Sequence, residues 1–172
     1  MKTKSKMHKQ VLCAMIAAVY AVISLVLSPL SFGNVQVRIA EALTLLPVLF
    51  PEAVWAVTLG CALTNAFGAM MGVNILGFID VFVGSLATFL AAVLTYKFRN
   101  IRIFNLPILS MLMPVIFNGL IIGAELSLAL NGSFSWPLFT VFGLEVALGE
   151  LASCAIIGLP MIHHLEKRKF FK

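Results

Sequence analysis

The sequence has few charged residues. Asp, Glu, Lys and Arg make up 11% of its 172 residues, whereas 61% are hydrophobic and the mean hydropathy is +1.05. Soluble domains are about 25% charged and roughly 45–50% apolar. Because so few polar side chains cannot cover a globule, the composition predicts an integral membrane protein. Phe dominates the aromatic residues, which favours an all-α fold of lipid-facing helices over the alternating pattern of a β-barrel.

The sequence also lacks the residues that several kinds of chemistry need. It contains no GxxxxGK[ST] motif, so hydrolysis of ATP through a P-loop is excluded. His8, His163 and His164 lie near the chain ends, so no histidine sits inside an apolar run to activate a serine or bind a metal. The three cysteines are scattered and have neither metal spacing nor a disulfide pattern. We therefore expect a protein that is not an enzyme and has no metal or cofactor.

Proline, glycine and charged residues divide the chain into six apolar runs, which predict six transmembrane helices in a single domain, residues 1–172. A membrane-spanning helix needs about 20 apolar residues. The second run is short and contains Pro47, so we expect it to be tilted or partly re-entrant. The predicted spans are residues 11–27, 39–50, 53–71, 78–96, 107–130 and 136–162.

The basic residues predict an orientation for these spans. They form three clusters, at the two chain ends and after the fourth span, and no long soluble stretch is present to bind nucleic acid. Cytoplasmic loops carry an excess of Lys and Arg, and six spans place all three clusters on one side. Both termini are therefore predicted to be cytoplasmic. The clusters are Lys2, Lys4, Lys6 and Lys9; Lys97, Arg99 and Arg102; and Lys167, Arg168, Lys169 and Lys172.

The remaining polar residues concentrate in the outer half of the predicted bundle. Arg38 is the basic residue outside the clusters, and its i, i+3 spacing from Glu41 allows the pair to neutralise itself at the bilayer edge. Ionisable groups at depth cost about 2.5–3.5 kcal/mol each on insertion scales. We interpret the group as a ligand pocket open to the outside, although single members could also snorkel or bridge helices. The candidate ligand-binding residues are Gln36, Arg38, Glu41, Asn65, Asn74, Asp80, Asn118, Glu125, Trp136 and Glu145.

The chemistry of these side chains favours a ligand with many N–H groups. Acids outnumber the single Arg38, which disfavours a phosphate or carboxylate ligand. One carboxylate can accept two adjacent N–H groups of a guanine-like base. Trp136 could stack on a flat ring or anchor the helix at the membrane interface. Arg38 could contact the ligand or act as a latch that orders the loop over the pocket; we favour the latch, because a cation gains little from N–H donors.

Small residues form a stripe on the first helix. Ala14, Ala17, Ala18 and Ala21 fall within an arc of about 100°. Small side chains allow another helix to approach closely. We interpret the stripe as a docking face for another protein, with packing inside the bundle as the alternative.

The segment FGNVQVRIAEALTLLP, residues 32–47, resembles the characteristic segment of the QueT family of queuosine-precursor transporters. The resemblance extends over nearly the whole chain, from the basic start through the Ala-rich first helix and the six spans. These proteins are similar to the substrate-binding S components of energy-coupling factor (ECF) transporters. The matching positions are Gly33, Val35, Gln36, Arg38, Glu41, Ala42, Leu43, Thr44, Leu45 and Pro47.

The resemblance implies an S-component-like bundle in a bacterial plasma membrane. Such a protein captures its substrate from outside and delivers it together with a coupling subunit (T component) and two ATPase subunits. The implied substrate is a 7-deazaguanine, preQ0 or preQ1, and surplus carboxylates suit the ammonium of preQ1 slightly better. The alanine stripe resembles the surface that contacts the coupling subunit.

Two alternatives remain open from the sequence. One is an S component for another vitamin, such as riboflavin or thiamine. The other is a proton-coupled secondary transporter, whose relay groups would be Asp80, Glu125, Glu145 or Glu150.

Overall fold

The structure, a computed structural model, describes residues 2–32 and 38–168, and this part of the chain is a bundle of helices joined by short loops. The prediction of an all-α membrane fold is confirmed: five helices are long and apolar enough to cross a bilayer, and a shorter apolar helix accompanies them. The elements are α1 (Lys2–Val26), α2 (Ser28–Ser31), a 3₁₀ helix (Ile39–Val48), α3 (Ala53–Met70), α4 (Ile79–Lys97), α5 (Ile108–Asn131), α6 (Trp136–Ser153), a π-helical turn (Cys154–Gly158) and α7 (Leu159–Lys167).

Contacts between α1 and α3 show that these helices run parallel. Lys9, near the start of α1, forms an ion pair with Glu52, which directly precedes α3. Farther along both helices, a Cβ atom on Gly60 would lie 2.8 Å from Tyr20 Cβ. The chain between α1 and α3 must therefore return across the bundle, and the 3₁₀ helix makes this crossing. The second span is a crossing rather than a re-entrant segment.

The 3₁₀ geometry explains how a short segment can make that crossing. A 3₁₀ helix rises about 2.0 Å per residue, against about 1.5 Å in an α-helix, so the same number of residues reaches farther. Pro47 cannot donate the backbone hydrogen bond that an α-helix needs there. Thr44 Oγ1 donates to the Glu41 carbonyl oxygen, three residues earlier, at 2.6 Å.

The 3₁₀ helix lies at the centre of the bundle and packs against the π-helical turn. Leu45 is fully buried in the main apolar cluster. A Cβ atom on Gly158 would lie 3.2 Å from Leu45 Cδ2 and 3.3 Å from the Ala42 carbonyl oxygen, so this glycine permits the close approach. Cys154 Sγ donates to the Glu41 carbonyl oxygen at 3.6 Å. The two non-α segments therefore meet beside Glu41.

The two described ends of the chain lie at the same end of the bundle. Leu12 of α1 and Leu165 of α7 pack against the same apolar cluster, together with Phe50. Arg102, in the loop before α5, donates two hydrogen bonds to Glu166 of α7, at 2.6 and 3.2 Å. The basic residues of these segments therefore share one end, and Arg38 lies at the opposite end.

Helices α5 and α6 approach each other through glycines. A Cβ atom on Gly123 would lie 2.6 Å from Gly143 Cα, which is backbone and cannot rotate away. A Cβ atom on Gly119 would lie 3.1 Å from Ala147 Cβ and 3.1 Å from the Gly143 carbonyl oxygen. The interhelical distance is therefore set most tightly at Gly123.

We expect Gly123→Ala to lower the free energy of unfolding by about 1–3 kcal/mol, because the added methyl group must push two backbones apart. Gly119→Ala serves as the matched control. It should lower the free energy of unfolding by less, since the neighbours of Gly119 need to move by only a few tenths of an ångström. Thermal unfolding of the detergent-solubilised proteins, followed by tryptophan fluorescence, measures both. Equal costs at the two positions would contradict the proposed contact.

Candidate functional site

Seven of the predicted ligand-binding residues are buried, with exposed fractions of 8% or less. They lie just before and on the 3₁₀ helix, on α3, α4 and α5, and in the loop before α4. They extend from the end of the bundle that carries Arg38 to its middle. We call them, with Tyr20 and Glu150, the polar cluster. The seven predicted residues are Arg38, Glu41, Asn65, Asn74, Asp80, Asn118 and Glu125.

Asp80 organises the first half of the polar cluster. Its Oδ2 atom accepts hydrogen bonds from Arg38 Nη2 at 3.3 Å and from Asn74 Nδ2 at 2.8 Å. Its backbone carbonyl oxygen accepts from Asn65 Nδ2 at 2.8 Å. Gly84 makes this arrangement possible, because a Cβ atom there would overlap Asp80 Oδ1 and lie 2.6 Å from Asn65 Nδ2.

The expected pairing of Arg38 with Glu41 is corrected by the structure, in which Arg38 forms its ion pair with Asp80. Arg38 precedes the 3₁₀ helix in an extended conformation, with φ −85° and ψ 93°, so its side chain does not continue the helical face of Glu41. Its Nε atom donates to the Ser31 carbonyl oxygen at 3.3 Å, and its guanidinium lies 5.6 Å from the centre of the Phe32 ring. Arg38 thus joins the end of α2 to the start of α4.

Glu41 and Glu150 form the second half of the polar cluster. The Tyr20 hydroxyl donates to Glu41 Oε1, and Asn118 Nδ2 donates to Glu150 Oε1 at 2.9 Å. Asn118 also lies near the carboxyl group of Glu41. Tyr20 and Glu150 were absent from the predicted site. Both could have been found from the sequence, because each is a polar group in the middle of a long apolar helix. Such a group is costly unless it has a partner.

Several buried oxygen atoms of the cluster have no hydrogen-bond donor among the described residues. Buried polar atoms in proteins are normally paired, so each of these acceptors can bind a donor from a ligand or water. Four carboxyl groups surround the single buried guanidinium of this part of the chain, which disfavours an anionic ligand. The atoms are Glu41 Oε2, Asn65 Oδ1, Asp80 Oδ1, Glu150 Oε2 and both carboxyl oxygens of Glu125.

Three predicted residues are not placed in the polar cluster. Trp136 is 70% exposed at the start of α6 and packs edge-to-face against Phe134 and Phe139. Glu145 is partly exposed on α6. Gln36 lies outside the described residues. Nor do the described residues bring three His, Cys, Asp or Glu side chains together as metal ligands.

The alanine stripe of α1 is divided between the interior and the surface. Ala17 and Ala21 are buried, and Ala17 lies where α1 crosses Gly60 of α3. Ala14 and Ala18 are exposed. A docking face on α1 can therefore use Ala14 and Ala18, while the other two alanines serve packing within the bundle.

Comparison with known proteins finds a matching family and a similar curated protein. The QueT transporter family matches residues 10–167 of the chain. The queuosine precursor transporter QueT of Lactococcus lactis subsp. cremoris (strain MG1363) is 29% identical over 173 residues, and the alignment covers 96% of each chain. No solved structure matches the chain.

Removal of Arg38 should destabilise the protein strongly, because it leaves the carboxylate of Asp80 buried without its cation. We expect Arg38→Met to lower the free energy of unfolding by about 3–5 kcal/mol. Adding Asp80→Asn should recover part of the loss, because the neutral amide needs no counter-charge. Denaturant unfolding in detergent measures the free energy of unfolding of the wild type, Arg38→Met and the double variant.

The matched control for this experiment is Arg102→Met, which breaks the partly exposed pair with Glu166. Pairs of this kind contribute about 0–1 kcal/mol. A cost for Arg38→Met no larger than that for Arg102→Met would show that the buried ion pair does not hold the two segments together.

Proposed function

The chain belongs to the QueT transporter family, and from that premise we propose that it is the substrate-binding S subunit of an ECF-type importer for a queuosine precursor. The relative from Lactococcus lactis is named for this substrate. In this proposal the protein binds and releases its substrate without changing it chemically, so it is not an enzyme. Residues 1–172 act as one membrane domain.

The observation that carries the proposal is the set of buried acceptor oxygens that have no donor within the part of the chain that the structure describes. A 7-deazaguanine presents a ring N–H next to an exocyclic amino group, and a further N–H on its five-membered ring. Carboxylates accept such groups, and hydrogen bonds to a charged partner contribute about 1.5–3 kcal/mol each. The oxygens of Glu41 and Glu150 that lack donors among the described residues lie near Asn118 and suit the N–H edge of the base.

Asn118 suits the remaining polar edge of the base. Its amide offers both a donor and an acceptor, and it donates to Glu150 and lies near Glu41. A guanine-type ring has a carbonyl oxygen beside its ring N–H, so a site with carboxylates alone would repel this atom. We therefore assign base recognition to Glu41, Asn118 and Glu150.

The transport cycle in this proposal depends on partner subunits. The chain has no P-loop, so ATP is hydrolysed by two ATPase subunits, and a coupling subunit connects them to this protein. The end that carries Lys9, Arg102 and Lys167 faces the cytoplasm of a bacterial cell, in agreement with the distribution of basic residues. The substrate enters at the opposite end, where Arg38 acts as a latch between α2 and α4.

We expect Glu41→Gln and Glu150→Gln each to weaken binding of a 7-deazaguanine by about 10- to 100-fold. In each variant the hydrogen bond from Tyr20 or Asn118 can persist at Oε1, while the amide places a donor where the wild-type protein has a free acceptor. Calorimetric titration of the purified protein measures the affinity for the 7-deazaguanine. Separate titrations with riboflavin and thiamine test these vitamins as alternative ligands.

Glu166→Gln is the matched control for these variants, since Glu166 lies at the end of α7 with Arg102 and outside the polar cluster. Its affinity should equal that of the wild type. Unchanged affinity in the two cluster variants, with normal melting temperatures, would remove both carboxyl groups from the binding site.

Ala18→Leu should abolish coupled uptake while leaving ligand affinity unchanged, because Ala18 is exposed on α1 and a larger side chain blocks a close helix contact. Ala17→Leu should instead destabilise the isolated protein, because Ala17 is 1% exposed. Co-purification with the coupling and ATPase subunits measures assembly of the complex, and uptake of the ligand into vesicles measures transport.

The same vesicles separate the ECF mechanism from proton-coupled transport, a candidate favoured by the four buried carboxyl groups. We expect uptake to require ATP and the partner subunits. Uptake by the chain alone under a pH gradient would refute the ECF mechanism.

A further inference from the structure

Resting on the proposed function, we propose that Glu125 selects the substituent at the 7-position of the deazaguanine and favours a primary ammonium over a neutral group such as a nitrile. The residue is then the specificity determinant between an aminomethyl and a cyano form of the same base. Three features of its surroundings support this assignment.

The first feature is that the other buried carboxyl groups already have donors. Asp80 is paired with Arg38, and Glu41 and Glu150 accept hydrogen bonds from Tyr20 and Asn118. Both carboxyl oxygens of Glu125 are buried without a donor among the described residues, and the residue is 8% exposed. A buried carboxylate in this condition is costly, and an ammonium ligand with three N–H donors would satisfy it.

The second feature is the position of Glu125 on α5. It lies seven residues after Asn118 on the same face, which is about 10 Å along the helix axis. A bicyclic base with a one-carbon arm, hydrogen-bonded at both ends, has a similar length. A base held at Asn118 can therefore direct its 7-substituent toward Glu125.

The third feature is the cleft that Glu125 lines. The cleft has a volume of about 390 Å³ and lies between the start of α4 and the second half of α5. Its other lining side chains are apolar, and they include Ile79, Val83 and Ile121. They offer no competing hydrogen bond, so the carboxyl group is the polar partner that an arm entering this cleft meets.

The charges around the cleft strengthen the preference for a cation. Asp80 and Arg38 are the charged groups that act on Glu125 electrostatically, and the guanidinium of Arg38 is engaged by Asp80. An ammonium can donate charged hydrogen bonds to this carboxylate, and such bonds are roughly twice as strong as neutral ones. A nitrile nitrogen only accepts hydrogen bonds, so it would face a carboxylate that also only accepts.

The test compares two ligands that differ only at the 7-position, 7-aminomethyl- and 7-cyano-7-deazaguanine, by calorimetric titration of the purified chain. We expect the wild type to bind the aminomethyl compound about 10- to 100-fold more tightly. Glu125→Gln should remove this preference, because it weakens the binding of the aminomethyl compound and leaves that of the cyano compound unchanged. Glu125→Asp keeps the charge and should retain part of the preference. Glu166→Gln should leave the ratio unchanged.

The outcomes distinguish this inference from the function on which it rests. A wild-type protein that binds neither compound overturns the proposed function and the role of Glu125 with it. If both compounds bind but the ratio is the same in Glu125→Gln, the role of Glu125 is overturned and the function stands. A wild-type preference for the cyano compound likewise overturns the inference. Melting temperatures of the variants show whether each is folded.

Discussion

The buried ion pair between Arg38 and Asp80 is the contact on which the polar end of the bundle depends. It joins segments that are far apart in sequence, because Arg38 also reaches the Ser31 carbonyl oxygen and Asp80 also binds Asn65 and Asn74. The attraction between two buried charges offsets their desolvation only when further hydrogen bonds satisfy the remaining groups. The neighbouring amide and carbonyl groups supply part of these hydrogen bonds, and Asp80 Oδ1 is left without a donor among the described residues. The pair therefore fixes the positions of α2, α3 and α4 around the candidate site.

The backbone at the start of the 3₁₀ helix directs the side chains of Arg38 and Glu41 toward different partners. Arg38 is extended and faces α4, whereas Glu41, three residues later, faces Tyr20 of α1. Long 3₁₀ segments and π-helical turns are uncommon, and both occur preferentially at strained or functional positions. Here the 3₁₀ helix and the π-helical turn lie side by side. Cys154 Sγ donates a hydrogen bond to the Glu41 carbonyl oxygen, and Gly158 packs against Ala42. The irregular geometry thus occurs where the chain brings Glu41 and Glu150 near Asn118.

Composition and the lengths of the apolar runs were sufficient to predict the fold, because a chain in lipid must satisfy its backbone within helices or a closed barrel. The cost of polar groups at depth was sufficient to predict that Asp80, Asn118 and Glu125 lie buried in the interior of the bundle. The partner of Arg38 could not be predicted, since it depends on one extended residue before the helix. The division of the alanine stripe was equally hidden: Ala17 and Ala18 differ by about 100° in direction, and only three-dimensional packing shows which one faces α3.

The free acceptor oxygens have a consequence for release in the proposed cycle. A site that filled its own carboxylates with internal donors would have to break those bonds before binding a base. Acceptors left open make the empty site less stable, by about 1–3 kcal/mol for each unpaired group, and the ligand restores this stability by mass action. The proposed cycle therefore requires that the isolated protein binds its substrate tightly. A coupling subunit that favours a different arrangement of α1 and the 3₁₀ helix would move Glu41 with them, and the loss of this one acceptor would weaken binding enough to release the base.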